Sequence, residues 1–572
     1  MQCTPSFWGR GWIAKRQNCG TKLRKKFESR KYFVKYLQFL FFFGPKISLF
    51  KNVCVYLQHN SCTTITQHTY YDMKKITSLM AAAALMMLAA PCAVVAQCPP
   101  PPCDKPKLPE APFAMPEVAA PQIPDNSVVL TDFGAVGDGG SLCTDAFAAA
   151  MKALEAKGGG HLNVPSGIWL TGPIQFVSNV DLHVEQGALV LFTTDYDAYP
   201  VVETIYEGNT SKRKMAPLWA YEVQNISITG PGSFDGQGQA WRPSKKGKFT
   251  SGQWQELTSG KGIEMKSVWY PDAKDDELKG TADKPDMRRV NGRPVLLEFT
   301  RCQKVMLRDA TFSNSPAWNI HPLMCDDLII DHVSIRNPWY AQNGDGLDLE
   351  SCNRVLILNS TFDVGDDAIC IKSGKDKEGR DWKRPCQNVI IDGCTVLHGH
   401  GGFVIGSEMS SGANNIYVHN CLFNGTDTGL RMKSTRGRGG VIENIYIDQI
   451  NMCNISGDAF TFDLYYSNKP VGGKADKDAS ASDPVPPVTE ETPCFRNLYI
   501  SNVVCQGAKR AVWFNGLPEM PLSNLVMKNS LFVAQQGCEM HYAKDITFEN
   551  VKIQNAAGDR VKTADVVNFT EK

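Results

Sequence analysis

Four short polar clusters carry side chains capable of chemistry. They are Asn343-Gly344-Asp345, Gly365-Asp366-Asp367, Gly399-His400-Gly401 and Arg431-Met432-Lys433. Together they hold three carboxylates, an imidazole and two cations. Paired carboxyl groups serve as general acid and general base on a glycosidic bond. Crowded carboxylates cannot all ionise, so one keeps its proton near neutral pH and can act as the acid. Cations beside them suit an anionic sugar. The flanking glycines are expected to remove bulk where a substrate approaches.

Each cluster taken singly has a plainer reading. Asp366-Asp367 alone is a solvated turn pair, and His400 alone is a hydrogen-bonded structural histidine. Arg431 and Lys433 alternate as they would on a charged strand edge that resists aggregation. Asn343-Gly-Asp-Gly346 lacks the ligand spacing of an EF-hand. His398 and His400 have no fitting third ligand, so neither a metal nor a cofactor is expected.

A repeat binds the clusters together. Short β-rich triplets, often after Asn or Asp, begin at Val305, Leu328, Val355, Val389, Ile416 and Ile445, in steps of 23, 27, 34, 27 and 29 residues. Each is followed by a second short strand and turn residues. Repeats of this length made of short strands predict a stacked β-solenoid, in which coils bury one another's inner faces at about 4.8 Å per coil. From the preceding triplet, Asp345, Asp366, His400 and Arg431 lie 17, 11, 11 and 15 residues on. Similar phase places them in one column on one face. Asp366 and Asp367 can both reach a cleft only where the strand bends, since neighbouring strand residues face opposite ways.

Near the start, Ala146, Phe147, Ala150, Met151 and Leu154 form an apolar helical stripe. Thr144 is the expected cap and Gly158-Gly159-Gly160 the stop. Such a helix would cover the open end of the solenoid, where bare strand edges invite pairing. Two insertions interrupt the repeat, a Trp-rich one over about 239–293 and a low-complexity one over about 467–494.

The termini are compositionally uneven. The formal net charge is +1, yet residues 1–72 hold twelve Lys and Arg against two acids. Met73-Lys74-Lys75, the apolar run Ile76 to Pro91 and the small residues up to Ala96 read as a secretory signal peptide. Residues 1–72 are then an upstream stretch outside the working protein. A rival reading makes Phe39–Phe43 membrane-proximal, but Gly44-Pro45 breaks that run. Residues 97–125 read as a Pro-rich extended linker and 126–572 as the solenoid domain. Export to the periplasm or the medium follows, with no stable membrane span. Past Ala96 there remain 46 basic and 57 acidic residues, which excludes a strongly basic nucleic-acid binder. Fourteen cysteines remain there; disulfides such as Cys98–Cys103 and buried free thiols are both open.

The four clusters, in this order, resemble the signatures of the polygalacturonase family, family 28 of the glycoside hydrolases. Asp132-Phe-Gly-Ala-Val-Gly-Asp-Gly140, Gly158-Gly-Gly-His-Leu-Asn-Val-Pro165 and Leu170-Thr-Gly-Pro-Ile174 are similar to its first coil. The resemblance spans roughly residues 128–555. It implies an all-β, single-stranded, right-handed parallel β-helix of the pectin lyase-like kind, and hydrolysis of α-1,4-linked galacturonate with inversion. Carried over by motif, Asp366 is the general acid, Asp345 and Asp367 activate the water, and His400 tunes the acid. Asn343, Arg431, Lys433 and a cleft tyrosine bind substrate; Tyr466 is the candidate, with Tyr465 close behind. Inversion implies an acid and base about 6.5–9.5 Å apart. The middle residue of the first signature is usually Thr and is Gly344 here.

The implied partner is an anionic polysaccharide, homogalacturonan or its oligosaccharides, with no nucleic acid, and the protein is expected to be a monomer. The Trp241, Trp254 and Trp269 insertion favours exo-action by closing one end of the groove. The alternatives are pectate-lyase-type elimination, a related rhamnogalacturonan hydrolase, and a non-catalytic β-helix adhesin or binding module.

Overall fold

A computed structural model describes residues 108–260, 262–271, 291–466 and 485–572. The apolar triplets become strands whose alternate residues point inward, and they stack in register. Val305 pairs with Leu328, Leu328 with Val355, Val355 with Val389, and Val389 with Ile416, all parallel. A second ladder stacks Phe234, Phe312, Ile335 and Phe362. The third runs from Ile174–Gln175 through Leu347–Glu350, Asp367–Lys372, Gly401–Ile405 and Thr428–Lys433 to Asp458–Asp463. The result is a right-handed parallel β-helix. Its interior is a column of fully buried side chains, with Phe234 and Phe312 stacked at 5.2 Å.

The Asn preceding many triplets has a physical reason. Asn388, Asn415, Asn444, Asn497 and Asn524 all adopt left-handed backbone, which Asn tolerates better than most residues. Their side chains also bond along the stack. The Asn388 Nδ2 donates to Asn353 Oδ1 at 2.9 Å and the Asn524 Nδ2 to Asn497 Oδ1 at 2.8 Å. These bonds link equivalent turns of successive coils.

The helix spans Thr144–Ala156 and buries the expected five residues. It packs on Ser127–Val129, Gly160–Val164 and Ile174–Gln175. Thr144 does not cap it. Cys143 holds the N-cap position without a side-chain bond, and the Thr144 hydroxyl accepts from the Gly172 amide at 2.7 Å. The described part of the Trp-rich insertion holds a three-stranded antiparallel sheet and a helix, Ser251–Ser259. Trp241, Trp254 and Trp269 are its buried packing, not a lining of the groove.

The described part of the Pro-rich segment is not a free linker. Ala111, Met115 and Val118 lie on an outer apolar patch of Ile329, Leu356, Leu358 and Ile390. The Ala119 amide donates to Asp327 at 3.2 Å. The signal-peptide reading, Cys98–Cys103 and most of the second insertion fall outside the described residues. The twelve described cysteines are free thiols. Among the described residues no helix is long and apolar enough to cross a membrane.

Candidate active site

The third ladder carries the clusters. Leu347 pairs with Ile369 and Asp367 with Gly401. Extended backwards, this register sets Asp345 beside Asp367, with Asp366 one residue ahead of it. Both Ala368 and Ile369 point into the core. Alternation therefore slips just after Asp367, and this is the bend that lets both aspartates face outward. One oxygen from each of Asp345, Asp366 and Asp367 lies within 4.8 Å of the others. That is tighter than the carboxyl separation of about 6.5–9.5 Å expected for inversion, so the spacing does not itself carry that reading.

The charges around the three acids differ sharply. Asp367 is 2 % exposed and takes Lys433 Nζ at 2.6 Å and Arg431 Nη1 at 3.1 Å. Burial opposes its ionisation, but these two cations prevail and hold its carboxyl below the usual range. Asp345 is buried with one unpartnered oxygen. Burial, with the charges of Asp348, Asp366 and Asp367, pushes its carboxyl well above the usual range. Asp366 is half-buried and accepts from the Asp367 amide at 3.1 Å. Of the acids in this crowded set, Asp345 is thus one whose surroundings oppose ionisation. The family resemblance instead gives the acid's part to Asp366.

His400 Nδ1 lies 3.2 Å from Asp366, and its Nε2 lies 3.7 Å from Asp427. The bond to Asp366 raises the imidazole above its ordinary value against the pull of burial. The two candidate tyrosines separate. Lys433 Nζ stands 4.9 Å from the Tyr466 ring centre, whereas Tyr465 turns to Arg436, which pairs with Glu519. Asn343 accepts from Arg293 at 2.8 Å on its side-chain oxygen.

The site glycines serve stacking more than substrate access. A Cβ on Gly344 would stand 2.5 Å from the Ala341 Cβ, and one on Gly365 would stand 2.5 Å from the Pro338 carbonyl oxygen. The first would meet its own turn and the second the turn of the preceding coil, not open space. Gly344, the departure from the family pattern, thus fits a closer turn.

Sequence reasoning missed an ionic layer next to the cluster. Lys372 Nζ lies 2.8 Å from Glu408 and 3.6 Å from Asp348, against the Trp318 ring at 4.8 Å. Burial pushes Asp348 up to about 8, while Lys372 and His321 draw it down. The signal was there in parity, because Lys372 repeats Lys433 two strands earlier, through the Gly406 position.

This acid trio differs from a calcium cage of oxygens, since two cations already occupy the oxygens of Asp367. The arrangement is suited to proton transfer on an anionic sugar. Comparisons with known proteins agree. Residues 276–483 match the family described as glycosyl hydrolases family 28. The solved hyperthermoactive exopolygalacturonase from Thermotoga maritima is 31% identical, covering 77% of this chain and 95% of that one, with a TM-score of 0.64. A probable polygalacturonase from Vitis vinifera is 26% identical, covering 71% of this chain and 74% of its own. The exo-poly-alpha-D-galacturonosidase of Dickeya chrysanthemi is 28% identical, covering 59% and 57%.

Proposed function

The chain belongs to family 28 of the glycosyl hydrolases, and on that premise we propose that it trims galacturonan from a chain end by inverting acid–base hydrolysis. It is a polygalacturonase-type glycoside hydrolase acting on pectin. The observation that carries the mechanism is the meeting of Asp345, Asp366 and Asp367 beside Arg431 and Lys433.

Asp366 is the acid. It is the most accessible of the three, and His400 links it to solvent. Asp366 gives its proton to the leaving glycosidic oxygen as the C–O bond breaks. Water forms the new C–O bond and passes a proton to Asp345 or Asp367. For Asp345 to take that proton it must itself be ionised with substrate bound, whereas Asp367 is ionised already. The substrate carboxylate is drawn by Arg431 and Lys433, with Tyr466 beside them and Asn343 at the other edge.

Elimination is disfavoured on a specific ground. It requires a neutral Lys or Arg base, yet Asp367 holds both Arg431 and Lys433 in their protonated forms despite burial. Exo-action is supported by the exo-acting relatives from Thermotoga maritima and Dickeya chrysanthemi and by the insertion. Phe249 packs on Tyr340 at 4.8 Å, just ahead of Asn343, and Lys248 lies over Trp339 at 5.6 Å. These groups stand as a wall on the amino-terminal side of the cluster. We also infer export through residues 73–96, with 126–572 acting as the catalytic domain and as a monomer. Early-time proton NMR of the product tests inversion: the β-anomer of galacturonate appears first. An α-anomer first would reverse the stereochemical assignment.

A further inference from the structure

We infer that Lys509 heads a remote uronate-binding station, three coils beyond His400, that holds the polymer while its end is cut. This rests on the proposed reading of the site and says how a long substrate is told from a short one.

The turns that carry the site continue as one column. The His400 amide donates to the Asp366 carbonyl at 2.8 Å, the Asp427 amide to Gly399 at 2.8 Å, the Gly457 amide to Asp427 at 2.8 Å, and the Lys509 amide to Gly457 at 2.8 Å. Each step is one coil, so Lys509 lies about 19 Å along the axis from Asp366 at about 4.8 Å per coil. A pyranose unit advances by about the same distance, which makes Lys509 the neighbour of a sugar about four units from the cut.

An open cleft of about 510 Å³ lies there, lined by Ser456, Gly507, Ala508, Lys509, Ala534 and Gln535. That volume falls in the range of ligand clefts. Gly507, Ala508 and Ala534 lie beside Ile455 and Val533 in it, and its exposed polar groups are the Ser456 hydroxyl, the Lys509 ammonium and the amides of Asn454 and Gln535. Such groups recognise the hydroxyls and carboxylate of a uronate. Between the cleft and His400, Asp427 receives the Ser456 hydroxyl on one oxygen at 2.8 Å and faces His400 Nε2 with the other at 3.7 Å, which joins the cleft to the site. With the amino-terminal side walled, the uncut polymer can run only toward these coils.

The test compares oligogalacturonates of two to eight units with wild type, Lys509→Ala, Lys509→Arg and, at the far amino-terminal end, Lys157→Glu. Loss of one solvent-exposed charge contact corresponds to about a two- to fivefold rise in KM. That rise is expected for Lys509→Ala on six units or more, with KM and kcat on the dimer unchanged and Lys509→Arg near wild type. Equilibrium binding of the octamer to the Asp366→Asn protein should weaken by the same factor. Equal losses on short and long substrates, or none on the octamer, would overturn the station. A wild type inert on every length would instead overturn the functional reading on which it rests.

Discussion

Asp348 is the residue whose charge state is most out of keeping with its type. It is fully buried, and its carboxyl titrates at about 8, whereas in the unfolded chain it titrates near 4. Between those values the folded protein holds a proton that the unfolded chain releases, so this group costs stability progressively as pH rises. Asp348→Asn should remove that cost. Thermal unfolding at pH 5 and pH 8 is expected to show the variant gaining relative to wild type at pH 8, while Lys372 keeps Glu408 as its partner. Parallel melting curves at both pH values would remove the charge assignment. The catalytic candidates Asp345, Asp366, Asp367 and His400 were legible because they share a phase with Arg431 and Lys433. Asp348 and Lys372 were not, because a lone acid and a lone lysine on apolar strands look like ordinary alternation until the register is known.

At the scale of the element, the turn is the working unit. The left-handed Asn before each triplet and the glycines of the clusters let successive turns approach closely enough to bring three acids together. Gly344→Thr restores the residue usual in the family but places its Cβ against Ala341. Overpacking of this kind costs about 1–3 kcal/mol. We expect a lower melting temperature and reduced kcat, both partly restored by adding Ala341→Gly. Full activity and stability in Gly344→Thr alone would show that the turn has room. The strands were legible from their spacing; the slip after Asp367 was anticipated as a bend, but its location came only from Ala368 and Ile369 both entering the core. Thr144 misled because a hydroxyl before an apolar stripe is the usual cap signal, while here it is engaged by the Gly172 amide. We take the helix it begins as the cover of the first coil.

For the whole molecule, the fold was legible in the repeat, and the substrate was legible only locally. We propose that a sequence with an acidic surplus past Ala96 draws an acidic polymer by placing cations locally, Lys433 and Arg431 beside Asp367 foremost. The insertion was read as a wall for its tryptophans. They proved to be its packing; we propose that Lys248 and Phe249, with Tyr340 and the 55 % exposed Trp339, form the wall instead. The most direct test is time-resolved sizing of the products from polygalacturonate, run with wild type and Asp366→Asn side by side. The account predicts that wild type releases one short saturated product from the earliest time, while the polymer shortens slowly. Asp366→Asn should release it about 10²- to 10⁴-fold more slowly. An early ladder of oligomers would contradict end-trimming, and undiminished turnover in Asp366→Asn would contradict the mechanism itself.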